Sequence, residues 1–329
     1  MADPQETQSS RLLCTQAGLS YNSSAMQKTL ASRIPRELPI FLFLVAMCTV
    51  LALAKHTFMS ADNLRAMGTD AAAIGIISVG MTAVIITGGI DLSVAAILAL
   101  AALVGGNMIG SGQVFLGCAA TLATGIGCGA LNGGLITIGR MPPIIATLGT
   151  LYIVQSCATL YSGGQVVYIN GHLGLLGNGF VPLVLTFLVF VVGYLAMRFT
   201  RMGRYVYAIG GNEESARLAG ISPARVKMAV YMISGLLAAL AALVTMGINN
   251  TFQANDVVDY LLAAIAAVVI GGTSIVGGEG SVLGTLIGVG ISTVLRNGAI
   301  LIGLDARWTQ AVIGAAILLA VIADRLRRR

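Results

Sequence analysis

Residues 141–197 read MPPIIATLGTLYIVQSCATLYSGGQVVYINGHLGLLGNGFVPLVLTFLVFVVGYLAM, without one Asp, Glu, Lys or Arg. A helix needs roughly 20 apolar residues to cross a hydrocarbon core about 30 Å thick, so this stretch exceeds two crossings. Residues 114–139 form a second uncharged run. Over the whole chain of 329 residues, 57% are apolar and 10% are charged. A soluble domain would carry about 25% charged residues. The apolar runs are continuous rather than alternating, which argues against a β-barrel. The 42 glycines suit helices that pack closely in lipid. The fold class is therefore an all-α polytopic membrane protein.

Working outward, apolar segments fall at 38–54, 69–88, 92–110, 114–138, 142–160, 180–197, 227–247, 258–276, 281–301 and 307–323, about ten transmembrane helices. Several are short and broken by glycine, so eight or nine crossings remain open. Residues 1–37 are polar and aperiodic and read as a disordered cytoplasmic tail, 38–325 as the membrane domain, and 326–329 as a basic cytoplasmic tail. Arg33 and Arg36 ahead of segment 38–54, and Ala52-Leu53-Ala54 at its end, imitate a secretory signal. The many crossings that follow favour an uncleaved first span.

Lys and Arg accumulate on the cytoplasmic side of membrane proteins. With the N-terminus inside, Arg11, Lys28, Arg33, Arg36, Arg140, Arg198, Arg201, Arg204, Arg217, Arg225, Lys227, Arg325, Arg327, Arg328 and Arg329 are inside. Only Lys55, Arg65, Arg296 and Arg307 are outside. Both termini are then cytoplasmic. The net charge of +6 follows these flanks and forms no single face, so nucleic acid is not a predicted partner. The five cysteines have no metal-like spacing, and His56 and His172 join no cluster. Neither a metal site nor a catalytic set is expected.

Glycine at every fourth position makes a groove on one helix face, where a neighbouring helix packs. Gly125, Gly129 and Gly133 have this spacing, as do Gly280, Gly284 and Gly288. Residues 83–89 (AVIITGG) are echoed weakly by 267–272 (AVVIGG); transporter folds often contain repeats.

Three stretches carry more specific signals. In Thr87-Gly88-Gly89-Ile90-Asp91-Leu92-Ser93 a carboxylate follows a Gly-Gly break. Asp91 is a natural N-cap if a helix begins at Leu92. A carboxylate within a membrane must face protein or water, so Asp91, Ser93 and Asn132 are the candidates for a solute path. In the loop 198–226, Asn212 is placed to cap a short amphipathic helix, with Glu213 and Glu214 in its first turn. Gly220 ends it and Pro223 follows. A rigid helix on the cytoplasmic side is a docking element. Residues 271–281 (GGTSIVGGEGS) are glycine-rich but lack the Lys-Ser/Thr of a phosphate-binding loop, and read as a tight turn. The chain is thus not expected to hydrolyse ATP itself.

Gly89-Ile90-Asp91-Leu92-Ser93-Val94, the 203–221 loop, and Ala266-Ala267-Val268-Val269-Ile270-Gly271-Gly272-Thr273-Ser274 with Gly277-Gly278 occur in this order. Together they closely resemble the ribose-type (branched sugar) permease family of bacterial ABC importers. Residues 139–149 (GRMPPIIATLG) are similar to that family's turn between crossings. The resemblance covers roughly 38–325. It implies a multi-pass subunit of the bacterial inner membrane that pairs with a second permease, alike or different. A periplasmic solute-binding protein delivers a monosaccharide or related polyol. A cytoplasmic ATP-binding subunit supplies ATP and Mg chemistry, so this chain binds no cofactor. Gly203, Arg204, Gly211, Asn212, Glu213, Glu214, Arg217 and Gly220 then form the element that couples to the ATPase. The chain departs from the family at Ala95, commonly Gly, and at Tyr260-Leu261-Leu262-Ala263-Ala264, where the family commonly has Tyr-Glu-Leu-Asp-Ala. The competing reading is a secondary transporter or channel. Ion coupling would need intramembrane ionisable residues, and Asp91 is nearly the only one this reading finds.

Overall fold

A computed structural model describes residues 37–254 and 258–303, with 311, 314 and 315. The chain folds as α1 (Leu38–Ala54), a short 3-10 turn (His56–Met59), α2 (Ala61–Ile86), α3 (Val94–Gly110), α4 (Val114–Thr137), α5 (Pro143–Ser162), β1 (Val167–Tyr168) and α6 (Gly174–Gly177). It continues with α7 (Val181–Phe199), α8 (Arg201–Gly211), α9 (Glu213–Leu218), α10 (Pro223–Asn249), β2 (Thr251–Phe252), α11 (Val258–Ile270) and α12 (Val282–Leu301). Six of these, α2, α4, α5, α7, α10 and α12, are long and apolar enough to cross a membrane; α1, α3 and residues 260–270 of α11 are shorter apolar helices. The all-α polytopic expectation is borne out. Nine of the predicted segments coincide with these helices, and the tenth, 307–323, lies largely outside the described residues, as do the tails 1–36 and 316–329.

The helices differ in what they bury. Most of α2, α3 and α10 is enclosed, with Ile76, Met81, Leu98, Leu103 and Met246 in the core. By contrast α4, α5 and α7 turn large apolar side chains outward, among them Phe115, Tyr152, Leu160 and Phe187. Apolar residues on every side of a helix mark a lipid-embedded bundle.

Close packing at the centre depends on missing side chains. Gly125, Gly129 and Gly133 of α4 lie against α10. A Cβ on Gly125 would overlap the Gly235 carbonyl oxygen, one on Gly129 would come 2.9 Å from Met232 Cα, and one on Gly133 would come 2.7 Å from Met228 Sδ. Gly127, on another face of α4, has open space around it. Gly129→Ala is therefore expected to lower the midpoint of thermal unfolding in detergent, since overpacking costs about 1–3 kcal/mol. Gly127→Ala is expected to leave it unchanged.

On α12, Gly284 and Gly288 meet α11 in the same manner, against Gly271 and Ala267. Gly280 departs from the expected stripe. Helix α12 begins only at Val282, and Gly280 sits in the preceding loop, where a Cβ would come 2.6 Å from the Thr273 side chain. The Ser281 hydroxyl, accepting from the Gly284 N–H, sets that later start.

A two-residue antiparallel pairing of β1 with β2, not expected from the apolar runs, sets Val167 opposite Phe252 and Tyr168 opposite Thr251. It closes the end of the bundle opposite α8 and α9. Of the described cysteines, Cys48, Cys118 and Cys128 are half-buried and Cys157 is exposed on an apolar face. Leu261 and Ala263, at the positions where the family commonly carries acids, are buried, which suits their apolar side chains.

Candidate functional site

The weak echo between residues 83–89 and 267–272 is an echo of structure. Helix α2 ends with Gly88 N–H donating to the Ile85 carbonyl (2.9 Å) and Gly89 N–H to the Val84 carbonyl (3.2 Å). Helix α11 ends with Gly272 N–H donating to Val269 (2.9 Å) and Thr273 N–H to Val268 (3.2 Å). Both are Schellman terminations, and each needs a residue at positive φ, here Gly88 at +79° and Gly272 at +85°. The end of α2 meets the loop after α11: Gly278 N–H donates to the Ile86 carbonyl at 2.9 Å.

The 198–226 segment is seated on this meeting point. It holds two helices rather than the single one expected. Thr200 caps α8 by accepting from the Gly203 N–H, and the apolar face of α8 buries Gly203, Val206 and Ile209. Arg201, Arg204 and Tyr205 remain outside. Asn212 caps α9 by accepting from the Ser215 N–H at 2.8 Å. Gly220 (φ +84°) ends it, with its N–H on Arg217 and the Ile221 N–H on Ala216. Glu214 receives two hydrogen bonds of 2.7 Å from Arg217. Glu213 receives one of 2.6 Å from Lys227 at the start of α10. Leu218, 81% exposed, stands beside these charges on the outer surface of α9.

Gly210 joins the two parts. A Cβ there would overlap the Ile86 carbonyl oxygen and come 2.5 Å from Gly278 N. The Tyr207 hydroxyl donates to the Gly280 carbonyl at 2.8 Å and fixes the same loop from one turn away. Of the glycines singled out in the sequence, Gly203 is a close-approach position against the Met197 carbonyl, whereas Gly211 has nothing within 4 Å. The sequence reading missed Gly210, because its role arises from segments far apart in the chain.

Five residues beyond Ile86, Asp91 is fully enclosed, at 0% exposure. Its Oδ1 accepts from the Ser93 N–H (3.1 Å) and the Ser93 hydroxyl (2.6 Å), and its Oδ2 accepts from the Ser234 hydroxyl on α10 (3.0 Å). Asn132 on α4 donates to the Ser93 hydroxyl at 2.6 Å. Thr147 on α5 donates to the Ile90 carbonyl at 2.9 Å. One short loop thus ties together α3, α4, α5 and α10. Helix α3 begins at Val94 with Ser93 before it, so Asp91 is not the N-cap residue that was expected. Its carboxylate still accepts the N–H two residues on, as an Asx-turn. Asp91, Ser93 and Asn132 do come together, buried inside the bundle. Ser234 was not foreseen. Neither was Tyr231, whose buried hydroxyl would lie 2.6 Å from a Cβ on Gly89. Asp70 on α2 is a further ionisable residue within the spans; it is exposed.

An apolar helical bundle with its polar chemistry held at helix breaks is an arrangement that transport proteins share. Residues 63–321 match the family described as branched-chain amino acid transport system / permease component. The chain belongs to that family of transporter permease components. It is 39% identical to the ribose import permease protein RbsC of Bacillus subtilis over 301 residues, covering 89% of this chain and 94% of that one. The probable ABC transporter permease protein y4mJ of Sinorhizobium fredii is 32% identical over 325 residues, 97% and 98% of the two chains. The fructose import permease protein FrcC of Rhizobium meliloti is 32% identical over 312 residues, 90% and 86% of the two chains. No solved structure gives a significant match. The resemblance drawn from the motifs, to ribose-type permeases, is borne out.

Proposed function

We propose that this chain is the membrane-spanning subunit of an ATP-driven importer for a monosaccharide, working with a cytoplasmic ATP-binding subunit, a periplasmic solute-binding protein and a second permease subunit. Its place is the bacterial inner membrane, with both termini and the 198–226 segment in the cytoplasm. ATP and Mg act through the partner; the chain's own task is to convert the partner's movement into a change of access. The observation that carries this reading is the build of α8 and α9. The outward surface of α9 offers an exposed Leu218 among Glu213, Glu214 and Arg217, while the inner face of α8 is fixed backbone to backbone at Gly210. An apolar anchor ringed by charge suits a protein partner. A helix so rigidly seated passes on displacement instead of absorbing it. The state the partner adopts with ATP then biases the bundle through differential contact.

Within this reading, Asp91, Ser93, Asn132 and Ser234 brace the wall beside the solute path at the level where α2 is broken. The solute is a sugar because full-length relatives import ribose and fructose.

Glu214→Lys places two cations side by side on α9 and removes the Arg217 pair. It is expected to abolish uptake while membrane insertion stays intact. The test measures labelled ribose and fructose uptake, together with the ATP-binding subunit that copurifies with the tagged chain in mild detergent. Normal uptake by Glu214→Lys would remove α9 as the docking element. Copurification also reports whether the second permease is a copy of this chain or a different one.

A further inference from the structure

Asn63 of α2 and Asn297 of α12 exchange amide hydrogen bonds of 3.0 and 2.7 Å. At the other end of the same two helices the hydroxyls of Thr82 and Thr285 are 2.7 Å apart. These contacts lay α2 and α12 antiparallel along nearly their full lengths. Asp70 follows Asn63 by seven residues, two helical turns, and so occupies the same side of α2. Its side chain is exposed. On α12, Thr293 is one turn from Asn297, and its buried hydroxyl has no hydrogen-bond partner among the described residues. Arg296, half-buried, is adjacent to Asn297.

The surface around a lipid-facing helix is apolar, as at Phe115, Leu160 and Phe187. Helix α2 has 26 residues, about 39 Å at 1.5 Å per residue, so a centred hydrocarbon core of about 30 Å has Asp70 roughly 9 Å inside it. A carboxylate held in lipid at depth is costly unless water or a partner group meets it. Water on this face removes that cost. We infer that the α2–α12 face carrying Asp70, Arg296 and the Asn63–Asn297 pair borders the aqueous translocation path and contacts the hydroxyls of a polyhydroxylated solute. Asp accepts from hydroxyls, Arg donates to them, and Asn does both, so the face complements a sugar without one deep pocket. The inference rests on the importer reading and deepens it. It also places solute contact away from the enclosed Asp91 cluster.

Leucine at position 70 separates path from lipid, because leucine suits lipid and not water. In the complete importer, Asp70→Leu is expected to lower labelled ribose and fructose uptake at least 10-fold, with unchanged amounts of chain in the membrane and of copurifying ATP-binding subunit. Asp70→Asn, which keeps hydrogen-bonding capacity, is expected to stay within about threefold of the parent. In open membrane sheets, Asp70→Cys is expected to react with a charged thiol reagent above the labelling of the parent chain, and Tyr152→Cys on an apolar face is not. Parental uptake by Asp70→Leu, an unreactive cysteine at 70, or restored uptake in the double charge swap Asp70→Arg with Arg296→Asp would overturn the inference. A parent chain that moves neither sugar with ATP would count against the importer reading alone; cysteine reactivity at 70 still decides whether the face is wet.

Discussion

Gly210→Ala is expected to stop solute uptake almost completely, at least 50-fold, in a chain that still reaches the membrane and still binds its ATP-binding partner. The added Cβ has nowhere to go, since the Ile86 carbonyl and the Gly278 nitrogen already fill its position. Neither is the end of a flexible side chain; one is backbone at the glycine-terminated end of α2 and the other is backbone of the loop after α11. Relief requires α8 to lift from the bundle, which breaks the line between the docking surface on α9 and the breaks after α2 and α11. The same substitution one residue later is the control. Gly211 has nothing within 4 Å, so Gly211→Ala is expected to import within twofold of the parent. Uptake in whole cells, with immunodetection of chain and partner in the membrane fraction, measures both. Equal behaviour of the two variants would mean that α8 does not transmit force through this contact.

The second large effect is expected at Asp91. Its two oxygens accept three hydrogen bonds, from the Ser93 N–H, the Ser93 hydroxyl and the Ser234 hydroxyl, all buried. Asp91→Ala strands these donors, and an unsatisfied buried polar group costs about 1–3 kcal/mol. Part of the loss is recovered by rotation of the hydroxyls, which leaves on the order of 3 kcal/mol. Asp91→Asn keeps an oxygen for Ser93 and presents an amide to Ser234, whose hydroxyl then accepts. It is expected to retain most of the stability. Thermal unfolding of the detergent-solubilised chain distinguishes them, with Asp91→Ala lower by roughly 5 °C or more and Asp91→Asn close to the parent. If Asp91→Asn falls as far as Asp91→Ala, the charge itself, and not the hydrogen-bonded brace, is what the bundle needs.

Much of the bundle is legible in the chain because membrane helices declare themselves locally. Apolar runs give the crossings, and the Asn212 cap, the Gly220 stop and Pro223 give α9 and its boundary. The Gly125–Gly133 spacing already defines a face, and the structure adds only that the face meets α10. What is not legible is produced by contact across distance. Nothing near Gly210 in sequence announces that Ile86 and Gly278 lie under it. Nothing near Asp91 names Ser234 or Asn132 as its neighbours. Gly280 shows the reverse error, for regular spacing continued past the point where the Ser281 cap starts the helix. Asp70 is legible as a single charge in an apolar run, but its exposure and its place beside α12 are not.

The central claim is that this chain moves a sugar only when an ATP-hydrolysing partner drives it. The direct test reconstitutes the chain into sealed vesicles, first alone and then with its ATP-binding subunit and solute-binding protein, and follows entry of labelled ribose and fructose. No flux is expected through the chain alone, and accumulation only when partner and ATP are both present. Sugar flux through the chain alone, without ATP, would contradict it and point to a secondary transporter or channel.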